Sequence, residues 1–456
     1  MTRGGVLAAS LLSGRERSDL LEEALMDVGG LSGGAVFLLV LLVLVVIGAT
    51  IGIVFGVKRH RFVTSLRERG WSFESNPTPE VANGLVVPPF GIGFRRDTDE
   101  HIVGRTRSGI DFQVFEYETA GDARIACMPV GLPLPELVVT GPGVGRPGVA
   151  LPHQQGLPGG GVLLSADSDF ADALMSLAGG QISAFGSRYP LSLAVDGDQL
   201  TQVGAPKAPD ELEAYLEALA PVAAAIQAGS AQLEPFRQPA AQQRLGFYHR
   251  PSWFYRPSDD GLLSVVEHTG GGRNHRTEDV LHGEFFPGCW FVAFEHHWQT
   301  QRTETSTDSN GHTTTRTVTD NHVEVIHEIT LPFQLPDLQI TDDSRVGRLF
   351  NGPSIDFELA AFNEAYDVRS PVPRFAHDVL HPRQIEYLLA VGMMPFSITA
   401  GRVRPQPFEH TPEAVGHELD LLAGFFARIP VFVWQDLGLP QPPLRLSATG
   451  QVELLA

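Results

Sequence analysis

The chain has 456 residues, of which 43% are hydrophobic and 19% charged, a balance that folds into two or three domains rather than staying disordered. Its formal net charge is −20, so the body repels phosphate backbones and anionic lipid, and nucleic acid is excluded as a partner. Two cysteines, Cys127 and Cys289, leave no Cys-x-x-Cys pair for zinc or redox chemistry and read as buried thiols of a reducing compartment.

After a tail over 1–34, the run AVFLLVLLVLVVIGATIGIVFGV at 35–57 holds 23 residues without a charge. As a helix rising 1.5 Å per residue it reaches about 34 Å, enough to cross a hydrocarbon core. KRHR follows at once, which reads as a stop rather than a cleavage site, so a signal peptide is set aside. Lys58, Arg59, Arg61, Arg67 and Arg69 lie beyond the run, whereas Arg15 and Arg17 are the basic residues close before it. That bias places the tail outside and the C-terminal body in the cytoplasm of a single-pass cell-membrane protein. A start at Met26 would remove both N-terminal arginines and sharpen the bias.

Beyond the anchor, landmarks recur in order. Gly104, Gly109, Phe112, Phe115 and Glu116 return as Gly283, Gly288, Phe291, Phe294 and Glu295, each 179 positions later. LPELVVT at 134–140 returns as LPDLQIT at 335–341, 201 positions later, so the second copy carries 22 more residues between these landmarks. Trp71 falls on Trp253, YPLSLAVDGDQL on MPFSITAGRV, and the Leu-rich segment opened by Pro209 on the one opened by Pro412. This order predicts a first repeat at 58–228, a linker at 229–245, a second repeat at 246–438 and a tail at 439–456. Each repeat reads as a β-rich stretch, a helix (DFADALMSLAGG or PRQIEYLLAVG), a strand pair and an amphipathic helix. The fold class is therefore α+β: one transmembrane helix, then two tandem related domains, each a mainly antiparallel sheet with two helices. A pleckstrin-homology-like barrel is one arrangement that meets this order.

The extra residues of the second copy are Thr-rich and polar, and Asn310-Gly311 is a strong two-residue turn signal. They predict a projecting hairpin over 298–322, read either as a partner-binding arm or as a solvated decoration. GVGRPG at 143–148 matches Gly-x-Gly-x-x-Gly, but Pro147 and the Gly/Pro run after it deny the helix start that a dinucleotide requires. Thirteen of the 16 histidines lie from His249 onward. His296 and His297 alternate across a strand, as do His322 and His327, and Pro382 sets a helix boundary between His377 and His381. With no acidic or Cys ligand at motif spacing, neither a metal nor a cofactor is expected.

FELAAFNEAYDVRSPVPRFAHDVLHPRQIEYLLA at 357–390 carries Phe357, Phe362, Asn363, Tyr366, Val368, Arg374, Phe375, Ala376, Leu388 and Leu389. This pattern resembles the signature of a family of membrane-anchored actinobacterial proteins of uncharacterised function. A Trp-containing start, FEYE and LPLPELVVT add to the resemblance, which covers most of 60–435. It implies no activity. Asn363, Arg374 and Tyr366 are the candidate ligand contacts. The alternative for Asn363 and Arg374 is structural: a hydrogen bond across a turn, or an ion pair with Asp356, Glu358 or Asp367. The first copy has a Gly/Pro-rich loop where the Phe-Asn element would lie, so any such site exists only in the second. The sequence thus points to a membrane-anchored binding or scaffold module with an unidentified protein partner. An enzyme with a site near Asn363 and Arg374 is the alternative.

Overall fold

The computed structural model describes residues 33–118, 122–307, 313–342, 354–392, 394–407, 409–447 and 449–454. The N-terminal tail to residue 32, with Arg15, Arg17 and Met26, and the Asn310-Gly311 turn lie outside them. The chain divides into two compact units, Met1–Ser72 and Phe73–Ala456.

In the first unit, helix α1 spans Gly33–Glu68, 36 residues, or about 54 Å at 1.5 Å per residue. It continues through KRHR for eleven residues past Val57. Its described apolar side chains up to Val57 are bare, with Phe37 67% and Phe55 69% exposed, whereas Leu66 near its end is buried. By length and composition it can cross a membrane.

The second unit is α+β, and every strand pairing in it for which a register is given below is antiparallel. Its first sheet has seven strands: β1 (Ser72–Glu74), β2 (Asp97–Arg105), β3 (Asp111–Glu118), β4 (Asp122–Thr140), β5 (His153–Gly156), β6 (Val162–Ser165) and β7 (Ser192–Val203). The order is β1-β2-β3-β4-β6-β5, and β7 also pairs with β4. LPELVVT forms the end of β4, where Leu137 pairs with Val195 on β7 and with Ser165 on β6. A strand flanked on both sides and covered on both faces must be apolar throughout; Leu137, Val138 and Val139 are all 0% exposed. Helix α2 (Ser168–Gly186) follows, its N-terminus capped by Asp167, whose Oδ1 accepts from Phe170 N at 2.9 Å. Helix α3 (Pro209–Ala228) opens on proline and buries Leu212, Leu216 and Leu219.

The segment after α3 holds the short helix α4 (Ser230–Leu233) before the second sheet begins. That sheet comprises β8 (Leu245–Phe247), β9 (Arg250–Arg256), β10 (Arg273–Phe286), β11 (Cys289–Thr307), β12 (Thr313–Thr330), β13 (Leu338–Asp342), β14 (Tyr366–Arg369), β15 (Phe396–Thr399) and β16 (Arg402–Pro405). The order is β14-β13-β15-β16-β12-β11-β10-β9-β8. LPDLQIT leads into β13, which β15 and β14 flank through Leu338↔Ile398 and Gln339↔Arg369. Gln339 is half-buried at the place in the phrase where Val138 is fully buried. Helices α5 (Ala360–Ala365), α6 (Pro373–Val379), α7 (Pro382–Val391), α8 (Pro412–Arg428) and α9 (Val431–Asp436) cover this part. His381 caps α7 rather than continuing α6, so His377 and His381 sit on either side of a helix boundary. A two-stranded sheet, β17 (Leu444–Leu446) and β18 (Val452–Leu454), closes the chain.

Beyond Gln299↔Arg273, neither β11 nor β12 pairs with a third strand until Ile329↔Val403, among the described residues. Eight cross-strand pairs, from Thr300↔Asp320 to Thr307↔Thr313, therefore form a two-stranded ribbon. At about 3.4 Å per residue it is about 27 Å long, and most of its side chains past Thr300 are exposed.

One apolar cluster runs through both sheets of the second unit, from Phe90, Phe115 and Tyr117 to Trp253, Phe291, Phe396 and Trp434. Each large side chain in it contributes about 1.5–3 kcal/mol by leaving water. Arg96 stitches the two sheets: it is buried, donates to Gly246 O at 2.6 Å, and lies 4.2 Å over the Phe247 ring.

Candidate functional site

The three residues singled out from sequence do not converge. Asn363, on α5, turns its amide to one backbone position: Nδ2 donates to Phe357 O at 2.7 Å and Oδ1 accepts from Phe357 N at 3.0 Å. This clamp closes the loop before α5 and holds Phe357 against Phe362 and His377 at 5.4 and 5.0 Å between ring centroids. Tyr366 opens β14 with its ring 5.1 Å from Phe362. Arg374 is 80% exposed and pairs with Asp436 at 3.1 Å and Asp378 at 3.5 Å, not with Asp356, Glu358 or Asp367. The first two thus act on their own neighbourhood, and an ion pair as exposed as that of Arg374 contributes at most about 1 kcal/mol.

A cleft of about 650 Å³ opens between the sheets, lined by Leu134, Glu136, Asp196, Tyr248 and Phe254 among others. Its buried carboxylate is Asp196, at a turn in β7 where Gly197 takes φ +59. Asp196 Oδ2 accepts from Val86 N at 2.9 Å and Val87 N at 2.8 Å. Burial pushes its pKa up to about 7, against the pull of those two N–H groups. The buried Arg146 guanidinium nearby donates to Pro88 O and to Thr201 Oγ1, and burial lowers its pKa to about 10. Asp196 and Arg146 thus hold the 86–88 loop against β7.

A second buried network crosses the other sheet. His327 Nδ1 lies 2.5 Å from Glu418 Oε2, and His327 Nε2 lies 3.2 Å from His410 Nδ1. His410 Nε2 donates to Asp279 O at 2.8 Å, and the Asp279 carboxylate accepts from Tyr255 Oη at 2.7 Å. Burial, more than any neighbour, lowers the His410 pKa. The network ties α8 to β12 and β10.

Two groups of side chains have the spacing to hold a metal ion among the described residues: His268, His275 and His296, and on the other face Glu278, Glu295 and His297. The β10–β11 pairing sets Thr277 opposite His296 and Arg276 opposite His297, so the adjacent histidines serve different faces. His296 is fully buried, His268 and His275 half-buried. The sequence reading left these three residues scattered because their spacing matches no ligand motif. The short Pro287-Gly288 turn, which folds β10 back on β11, is a signal for His275 and His296 alone; His268 lies on the loop before β10.

No protein-family model matches the chain, and no curated protein matches it. Among solved structures, the crystal structure of the mycobacterial trehalose monomycolate transport factor A, TtfA, is similar, with 13% identity and a TM-score of 0.30 over 40% of this chain and 97% of that one. A likeness of that degree assigns neither fold nor function.

Proposed function

We propose that the chain is a single-pass membrane protein whose body is a binding or scaffold module built from a duplicated α+β unit. The observation that carries the binding reading is the ribbon of β11 and β12, whose polar edges lie open over eight residue pairs. Open strand edges recruit a further strand from a partner through main-chain hydrogen bonds. The bare apolar surface of α1 supports the anchor. The five basic residues from Lys58 to Arg69 support a cytoplasmic body, and the free, buried Cys127 and Cys289 fit a reducing compartment.

The duplication has support in strand order. In both sheets two long strands joined by a tight turn pair Gly with Phe: Gly104↔Phe112 and Gly283↔Phe291. Gly109 and Gly288 take left-handed φ of +89 and +79 in the two turns. In both, the repeated phrase enters a strand flanked on either side, and a proline-opened helix, α3 or α8, ends the unit. Antiparallel strands closed by a C-terminal helix are also the ingredients of a pleckstrin-homology-like unit. The resemblance to membrane-anchored actinobacterial proteins of uncharacterised function fits the same plan.

The enzyme alternative loses ground because Asn363 is spent on Phe357 and Asp196 on Val86 and Val87. The test is site-specific photocrosslinking in cells of the native host, from Thr305 on the ribbon and from Asp198 as control. The expected outcome is a discrete protein adduct in the membrane fraction from Thr305 alone. A full chain that fractionates with the cytosol, or a ribbon that yields no adduct, overturns the reading.

A further inference from the structure

We propose that His268, His275 and His296 form a binding site for one divalent transition-metal ion of the zinc class, with a coordination position left open. One nitrogen from each of the three side chains lies within 4.8 Å of the others. His275 Nδ1 and His296 Nε2 face each other at 3.0 Å. Zinc bonded to imidazole at about 2.0–2.1 Å sets neighbouring ligand atoms of a tetrahedron about 3.3 Å apart. The strand-borne pair is thus already near coordination spacing. His268 sits on the 265–272 loop before β10, so it can supply the remaining contraction.

The surroundings are those of a metal ligand set. His296 turns its other nitrogen, Nδ1, toward Glu324 Oε2 at 3.6 Å. A carboxylate behind a ligating histidine fixes its ring orientation and raises its basicity. Glu324 also accepts from Thr269 N at 3.2 Å, which ties the His268 loop to the same carboxylate. Gly270 presses that loop onto the site: a Cβ there would lie 2.6 Å from His296 Cε1 and 2.8 Å from Trp298 Cδ2. Trp298 stacks on the His296 ring at 4.8 Å. His268 Nδ1 is buried and has no hydrogen-bond partner among the described residues. A buried orphan nitrogen beside two further imidazoles has a physical reason if a cation completes the group.

A metal binds imidazole in its neutral form, so the site fills as these histidines lose their protons. Three imidazoles select Zn²⁺, Co²⁺, Ni²⁺ or Cu²⁺ over Mg²⁺ and Ca²⁺, which prefer oxygen. Three protein ligands leave the fourth position to water or to a donor from a bound molecule. The site lies at the foot of the ribbon, whose first pair is Thr300↔Asp320. It stands whether or not the scaffold reading holds.

The test is Zn²⁺ titration of the full chain in detergent, stripped with a chelator, in competition with a chromogenic indicator. Co²⁺ absorption then reports the coordination number. The expected result is one Zn²⁺ per chain and the strong visible bands of four-coordinate Co²⁺. Glu324→Gln should weaken binding about 10–100-fold, and His275→Ala should weaken it more. His297→Ala, on the opposite face, should leave it unchanged. If His275→Ala does not fold, as judged by near-UV circular dichroism, the loop variant His268→Ala decides in its place. Absence of stoichiometric binding overturns the proposal, as does undiminished binding in the His275 or His268 variant. Loss of binding in His297→Ala with retention in His275→Ala assigns the ion to the Glu278/Glu295/His297 face and equally overturns it.

Discussion

Replacing Asp196 by Asn tests whether the carboxylate of the cleft is held as an acid against its preference for water. Asp196 is 1% exposed, and its pKa stands at about 7 against an ordinary 3.8. The folded chain therefore binds this proton more tightly than the unfolded chain does. The linked stabilisation is fully present below about pH 4 and is lost as pH rises through about 7. A shift of about 3 units at about 1.4 kcal/mol each sets its size near 4 kcal/mol. Asn keeps an acceptor for Val86 N and Val87 N and cannot ionise. Its own N–H groups need acceptors at every pH, as the acid proton does, so that cost is a constant offset. Arg146 stays charged across the window, because its pKa is about 10. Guanidinium unfolding of both proteins at pH 4, 5, 6, 7 and 8 should show the Asn variant gaining on the wild type by several kcal/mol toward pH 8. A difference that does not change with pH, or that falls, would show that the two backbone N–H groups and Arg146 outweigh burial, and would refute the reasoning.

Three further substitutions probe the frame that holds the sites. Gly283→Ala should destabilise by about 1–3 kcal/mol, because a Cβ there meets Ser252 O at 2.6 Å and the rings of Phe291 and Trp253 at 3.0 Å. Gly180→Ala, on α2 with nothing within 4 Å, should instead stabilise by up to about 1 kcal/mol; thermal melts giving both variants the same sign would contradict the packing described. Glu418→Ala strands the buried His327 Nδ1, which lies 2.5 Å from Glu418 Oε2, and should cost about 1–3 kcal/mol in denaturant unfolding. A loss below about 0.5 kcal/mol would place that pair outside the network tying α8 to β12.

What could be read from the sequence was local, and the reason is that local signals are written in consecutive residues. Pro382 and Gly392 bracket α7, with Gly392 in the left-handed region at φ +60. Thr411 and Pro412 open α8, and Thr411 Oγ1 accepts from Ala414 N at 3.1 Å. The uncharged run at 35–57 lies wholly within α1. Pairings at long range are not written that way. The flanking of β4 by β6 and β7 at once depends on pairs 22 (Thr140↔Val162) to 78 (Ile125↔Val203) residues apart, which no short window along the chain contains. The histidine cluster needs three things together: the β10–β11 register, the irregularity at Asn274 with its φ of +56, and a loop that folds back over Trp298. Asn363 shows the converse. Its residue type and its aromatic neighbours looked like a contact site, but the loop it closes is its own.

The placement of polar chemistry follows from the same packing. In β4 the phrase Leu-Val-Val is enclosed on both faces, so a polar residue there would lose its water without gaining a partner. In β13 the equivalent phrase is Leu-Gln-Ile, and Gln339 is half-buried, so this strand tolerates a polar side chain. On the proposed duplication, the second repeat was free to acquire polar residues where the first was not. The tip of β11 and β12 is the least restrictive place for such change, since added residues pair with one another and leave the core register from Trp290↔Thr330 to His297↔Val323 untouched. That is where the Thr-rich ribbon lies, and the histidines, Trp298 and Glu324 gather at its foot.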